Sequence, residues 1–443
     1  MNKVVYVVHC IDTEGPLNET LDATFTRLKE IFNISLPASE ENLKKIQNCQ
    51  LDLGGIEKEV AKVFAPHLLD YNRDWADVSS MLDKIMSKTF RERYLDSNGR
   101  GWLYNWHCLD FIGFTENPRH RDQRDHAVFD FYSQRDDLFD DQIEFHHHPV
   151  GFYKVGTSPA TNYLSQNPVI FEIIAKKIIE RSWFPTVYRP GFHTTRPDSH
   201  WFLEQYIPFE YANQAQSVSD FDQQLDLANG RFGDWRRAPL DWAPYHPSHD
   251  DYQIPGHCRR AIARCLNIGT RLRLLSASDV EQAFEEANSG KPVILSFTNH
   301  DFRDMSPDID YVYRLISEAK KKYPEVDFVY SSGKDAMRKA LSLNEIPPLD
   351  FSLKVTNNQL NVSSNHPVFG PQPFLAIKTK DGQYIHDNFD FDKPFNQWKY
   401  TFDDCTVKKS DIEKVGVAAN DKYGNSQVCL IDFTTNQTWK ENR

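Results

Sequence analysis

The chain has 443 residues, 40% hydrophobic and 26% charged, a balance that excludes wholesale disorder and exceeds one compact domain of usual size. Its formal charge of -12, with no long Lys/Arg run, excludes a nucleic-acid backbone or an anionic membrane as the main partner. Seven cysteines without a Cys-x-x-Cys pair are read as reduced thiols; together with the lack of a signal peptide or an apolar membrane span, they predict a cytoplasmic protein.

The first predicted strand, 4–8, runs into Asp12-Thr13-Glu14-Gly15-Pro16. Residues 17–100 read as an inserted block of helices (21–34, 39–47, 55–67 and 78–94), of the kind that forms a lid or cleft wall. Further strands follow at 103–109, 142–147, 186–188, 207–211, 272–275, 293–297 and 327–330, with amphipathic helices at 168–181 and 278–288. This alternation predicts an α/β fold, a distorted (β/α) barrel of seven or eight strands over 1–343. Beyond a linker at 344–350, short alternating strands predict an all-β, sandwich-like domain over 350–443.

Chemistry-bearing residues gather where the predicted strands end, the edge that carries active sites in a β/α barrel. Asp12 and Glu14, two apart on extended chain, point the same way and repel unless a cation or proton lies between them. His146 and His148 share a face and can offer two imidazole nitrogens to one metal, while His147 points into the packing. The mixed oxygen and nitrogen set suits Zn2+ or another first-row divalent metal. The late strand ends in Asn299-His300-Asp301, which places a histidine where a general acid is needed and an acidic neighbour to orient it. Arg189 follows a strand and can hold a carboxylate or an anionic substrate group. Trp106, His107, Asp110, His193, Trp242 and Tyr245 are candidates for a sugar-binding wall.

In chain order, Asp12/Glu14, His146/His148, Arg189-Pro190 and His300 resemble the motifs of the polysaccharide deacetylase superfamily, carbohydrate esterases with a NodB-type barrel, across roughly residues 1–335. The Asp-Thr-Glu and His-x-His-Pro forms depart from that family's adjacent aspartates and four-residue histidine spacing, and look like a divergent, WbmS-like branch. The resemblance implies a metal-dependent hydrolase that removes an acyl group from an amino sugar in bacterial surface-polysaccharide biosynthesis, acting on a small, nucleotide-linked or lipid-linked sugar. It further implies Glu14, His146 and His148 as ligands, with Asp12 as base or further ligand, His300 as acid, Arg189 orienting Asp12, and Asp301 holding His300. The alternatives are a carbohydrate-binding barrel without catalysis and another metallohydrolase of the amidohydrolase type.

Overall fold

A computed structural model describes residues 3–156, 160, 162–164, 168–216 and 233–442. Eight strands make the first sheet: β1 (Val4–Thr13), β2 (Tyr104–Leu109), β3 (Gln142–His147), β4 (Val187–Pro190), β5 (Phe209–Asn213), β6 (Ala261–Asn267), β7 (Val293–His300) and β8 (Asp327–Tyr330). Strands β1 to β7 are hydrogen-bonded in parallel, each to the next, and β7 returns to β1, so the ring closes with seven strands. The extra strand, β8, is possible because β1 is long. Along one edge Val4–Val7 pair with β8, whereas His9–Thr13 pair with β2. Both faces of β1 are buried, as a parallel strand between a barrel interior and an outer helical layer requires.

One expected strand lies elsewhere. The sixth strand is Ala261–Asn267, not 272–275, where only Leu274 makes an isolated bridge, to Asn267. The arginine at the centre of β6 masks an otherwise apolar run. Arg264 is buried nonetheless, because Asp279 accepts from it at 2.7 Å and the carbonyls of Ala215 and Leu240 take its other donors.

The insertion comprises α1 (Leu21–Phe32), α2 (Glu40–Gln47), α3 (Glu57–Val63), α4 (Pro66–Leu69), α5 (Trp75–Ile85) and α6 (Lys88–Arg91). Thr20, Ser39 and Asp74 cap α1, α2 and α5 by accepting hydrogen bonds from first-turn amides. Phe25, Leu28, Ile46, Val60 and Phe64 give the insertion a small core of its own, whereas Val78, Leu82 and Ile85 of α5 join the main core. Helices α7 (Ala127–Ser133), α8 (Val169–Arg181), α9 (His200–Tyr206), α10 (Ala277–Asn288), α11 (Ser306–Lys322) and α12 (Gly333–Ala340) complete the helical layer. Among the described residues no helix is long and apolar enough to cross a membrane.

The C-terminal strands are β9 (Phe351–Thr356), β10 (Gln359–Ser364), β11 (Phe374–Thr379), β12 (Tyr384–Asp387), β13 (Asp390–Lys393), β14 (Gln397–Thr401), β15 (Ile412–Asn420), β16 (Ser426–Asp432) and β17 (Gln437–Asn442). They form two antiparallel sheets, β13-β14-β10-β9 and β12-β11-β15-β16-β17. Side chains alternate between the faces of a strand, and in β11, β15 and β16 of the larger sheet both sets include buried apolar residues. Leu375, Ile377, Val415, Val417, Cys429 and Ile431 share a core with Leu360, Val362 and Trp398 of the smaller sheet. Their neighbours Phe374, Ala376, Ala418, Val428 and Leu430 join the barrel core beside Ile174 and Ile178 of α8. The larger sheet of the C-terminal β unit thus packs on the barrel through α8.

Candidate metal centre

The parallel register brings the predicted chemistry together at one end of the barrel. Asp12 lies opposite His300 across the β1–β7 pairing, and His146 opposite Arg189 across β3–β4. Glu14 follows the end of β1, where its backbone N–H donates to Asp301 Oδ1 at 2.9 Å and that of Gly15 to Oδ2 at 2.9 Å. The Tyr132 hydroxyl also donates to Asp301 Oδ2, at 2.9 Å. Asp301 therefore braces the loop that carries Glu14, in place of the hold on His300 expected of it. His300 Nδ1 is buried with no hydrogen-bond partner among the described residues.

Three atoms converge. His146 Nε2 lies 3.0 Å from His148 Nε2, Glu14 Oε1 3.3 Å from His148 Nε2, and Glu14 Oε1 3.7 Å from His146 Nε2. Ligand atoms about 2.0–2.1 Å from a tetrahedral Zn2+ stand roughly 3.3–3.4 Å apart, and these separations straddle that value. His146 Nδ1 donates to the Arg189 carbonyl at 2.8 Å, which leaves the lone pair on Nε2 facing the cluster. The His148 ring packs against Phe192 and lies over Gly191, where an added Cβ would come within 2.3 Å of His148 Cδ2, so only glycine fits there. The residues present thus fit a resident divalent cation held by Glu14, His146 and His148.

Asp12 stands outside this cluster. The Arg189 fork takes both its oxygens, Nε donating to Oδ1 and Nη2 to Oδ2 at 3.1 Å, so the fourth ligand allowed for in the sequence is already engaged. Burial opposes charge on Asp12, yet Arg189, then His146 and His300, hold its carboxyl well below the usual range. Burial likewise opposes charge on Glu14, and the Arg121 guanidinium, then His148, keep it ionised. Burial pushes His148 down and His300 down to about 3, so His300 is neutral at pH 7. Burial raises Asp301 to about 7, opposed by the three donors it accepts from.

The cluster opens into a cavity of about 260 Å³. His193 lines it, between Arg189 Nη2 at 2.9 Å and Gln214 Nε2 at 2.9 Å. The other expected wall residues sit elsewhere. Trp106 stacks on Tyr104 in the main core, where strand alternation turns it away from the mouth; Trp242, on the chain between β5 and β6, is buried in the same core with its indole N–H donating to the Asp279 carbonyl at 2.9 Å. His107 points into the barrel, Asp110 pairs with Lys177 at 2.7 Å, and the Tyr245 hydroxyl donates to the Tyr252 carbonyl at 2.7 Å. Sequence reasoning passed over Gln214, Asn267 and Arg273, which line the cavity. Gln214 follows β5 and Asn267 ends β6, so the rule that polar residues at barrel-strand ends face the mouth would have found both. From the insertion, Arg27, Glu30 and Ile31 of α1 reach the cavity, which makes α1 part of its wall. Comparison with protein-family models, with curated proteins and with solved structures finds no match to this chain.

Proposed function

We propose that the chain is a metal-dependent hydrolase that removes an acyl group from the nitrogen of an amino sugar. The observation that carries this reading is the tetrahedral-edge spacing of Glu14 Oε1, His146 Nε2 and His148 Nε2, with Asp12 and His300 beside them. A bound first-row divalent cation, Zn2+ by the donor set, supplies Lewis-acid polarisation of an acyl oxygen and acidification of a water. Asp12, fixed by Arg189, keeps its Oδ2 3.8 Å from His300 Nε2, close enough for the two to act as a proton-handling pair around one substrate. As water adds to the acyl carbon, its proton passes to this pair. His300, which lines the cavity, delivers the proton from this pair to the departing nitrogen as the C–N bond breaks. The products are a carboxylic acid and a free amine, with water fully accounted for.

The resemblance to the deacetylases favours a sugar amide, and the cavity, just below the roughly 300–1,000 Å³ usual for small-molecule sites, suits a single sugar ring. Metal analysis of protein purified without chelator, followed by a screen of N-acylated amino sugars for released acid, tests the reading. Stoichiometric metal with acid released from at least one of them supports it. Bound metal with no release from any would reject hydrolysis and favour the sugar-binding barrel.

A further inference from the structure

Two arginines in the cavity wall have donors that no described residue accepts. The Arg121 side chain is 6% exposed; its Nη2 meets Glu14 Oε2, and Phe302 lies against the guanidinium with the ring centre 4.6 Å from its central carbon. Its Nη1 is buried and has no hydrogen-bond partner among the described residues. Arg119 Nε is in the same condition. The carboxylate nearest Arg119, Glu19, is 3.9 Å away and already accepts from Arg27 at 2.9 and 3.2 Å and from the Tyr71 hydroxyl at 2.9 Å.

Both arginines line the cavity that holds Glu14, His148 and His300, and Arg273 lines it as well. A buried guanidinium donor without an acceptor is costly, and in the wall of a cavity a ligand with anionic oxygens can complete it. The local charge points the same way. Glu14 is the carboxylate that neutralises Arg121, and a bound cation draws on that same charge, leaving the wall more positive still. Guanidinium edges match the paired oxygens of carboxylate and phosphate, whereas a sugar hydroxyl offers one acceptor and no charge.

We propose that the substrate is an anionic sugar, and that Arg119 and Arg121 receive its carboxylate or phosphate while the acyl group faces the metal cluster. This rests on the hydrolase reading for the acyl group but not for the anion, so the two are tested apart. Binding is measured by calorimetry on the full-length chain, with and without Zn2+, using glucose, glucuronate and glucose 6-phosphate, which have no acyl group to lose. At least one anionic sugar is expected to bind more than about 30-fold tighter than glucose, the usual scale for a buried charged contact. The tighter of the two identifies the anion. Arg119→Gln is expected to cut the preference to about threefold or less and Arg119→Lys to restore part of it, with melting curves confirming that both variants fold.

Equal binding of all three sugars, binding of none, or an undiminished preference in a folded Arg119→Gln protein would overturn the proposal. A parallel assay follows acetate release from N-acetylglucosamine and from its C6-carboxylate and 6-phosphate forms. Release without anion preference in either assay leaves the hydrolase and rejects the anionic sugar. An Arg119-dependent preference in binding with no release from any of the three keeps the anionic sugar and removes the support for hydrolysis.

Discussion

Replacing Glu14 by glutamine tests the centre of the site because the shape stays and the charge goes. Glu14 is 4% exposed and divides its oxygens, Oε2 to Arg121 and Oε1 towards the two histidines. The amide must turn its NH2 either to Arg121 or to the metal position, so one partner is lost whichever way it lies. Breaking a buried ion pair by neutralising one side costs about 3–5 kcal/mol. For a barrel of roughly 340 residues unfolding with ~2.1 cal/mol/K per residue, that lowers the melting temperature by ~4–7 °C. Scanning calorimetry in chelator reads this term alone. Adding Arg121→Met should recover most of it, since removing both charges costs far less than removing one. Zinc affinity, from calorimetric titration, should fall more than about 100-fold, beyond the usual effect of losing an outer-shell partner. A Glu14→Gln protein that melts with the wild type in chelator and takes up zinc equally well would refute both the ion pair and the ligand assignment.

Zinc at 100 times its dissociation constant should raise stability by about 2.7 kcal/mol, or ~4 °C, and His146→Ala should abolish that rise; an equal rise in both proteins removes His146 from the ligand set. Asp308, raised to about 6 by burial with Asn299 donating at 2.8 Å, supplies a pH signature. Its folded pKa lies above its unfolded one, so the folded state holds the extra proton. Its contribution is complete below about pH 4 and is lost as pH rises through about 6, by ~2–3 kcal/mol. Asp308→Asn should therefore gain on the wild type across that interval in denaturant titrations, and parallel pH curves would contradict it. At Gly416 a Cβ would lie 2.4 Å from Ile178 Cγ2, so Gly416→Val should cost about 1–3 kcal/mol, and Ile178→Ala in the same chain should be less harmful than it is alone.

The sequence discloses this site unevenly, for physical reasons. His146 and His148 are legible because extended chain alone puts alternate residues on one side, and the barrel edge does the rest. Asp12 and Glu14 are legible as a location. Their division of labour depends on Arg189 and Arg121, side chains from distant segments whose reach no local pattern encodes. Asp301 shows the same limit: its neighbour His300 is the natural partner by adjacency, but the oxygens turn to amides nearly 290 residues earlier. The sixth strand is not legible because Arg264 breaks its apolar run, a charge made tolerable only by tertiary partners. The C-terminal alternation announced strands. It could not show that one sheet would be buried on both faces, because an apolar neighbour on α8 leaves no mark in the strand itself.

The division of one edge of β1 between β8 and β2 has a consequence for how the protein is made. Ring closure needs β7, and the rest of that shared edge needs β8, so β1 keeps unpaired backbone until the chain has grown past residue 330. At translation rates of about 5–20 residues per second, roughly 15–60 seconds separate synthesis of Glu14 from that of Asp301. The histidines emerge well before the segment that seats their carboxylate partner. A metal captured early would meet an incomplete and weakly selective set, so if the cluster holds one, the complete set is offered only after the non-local closure of the barrel.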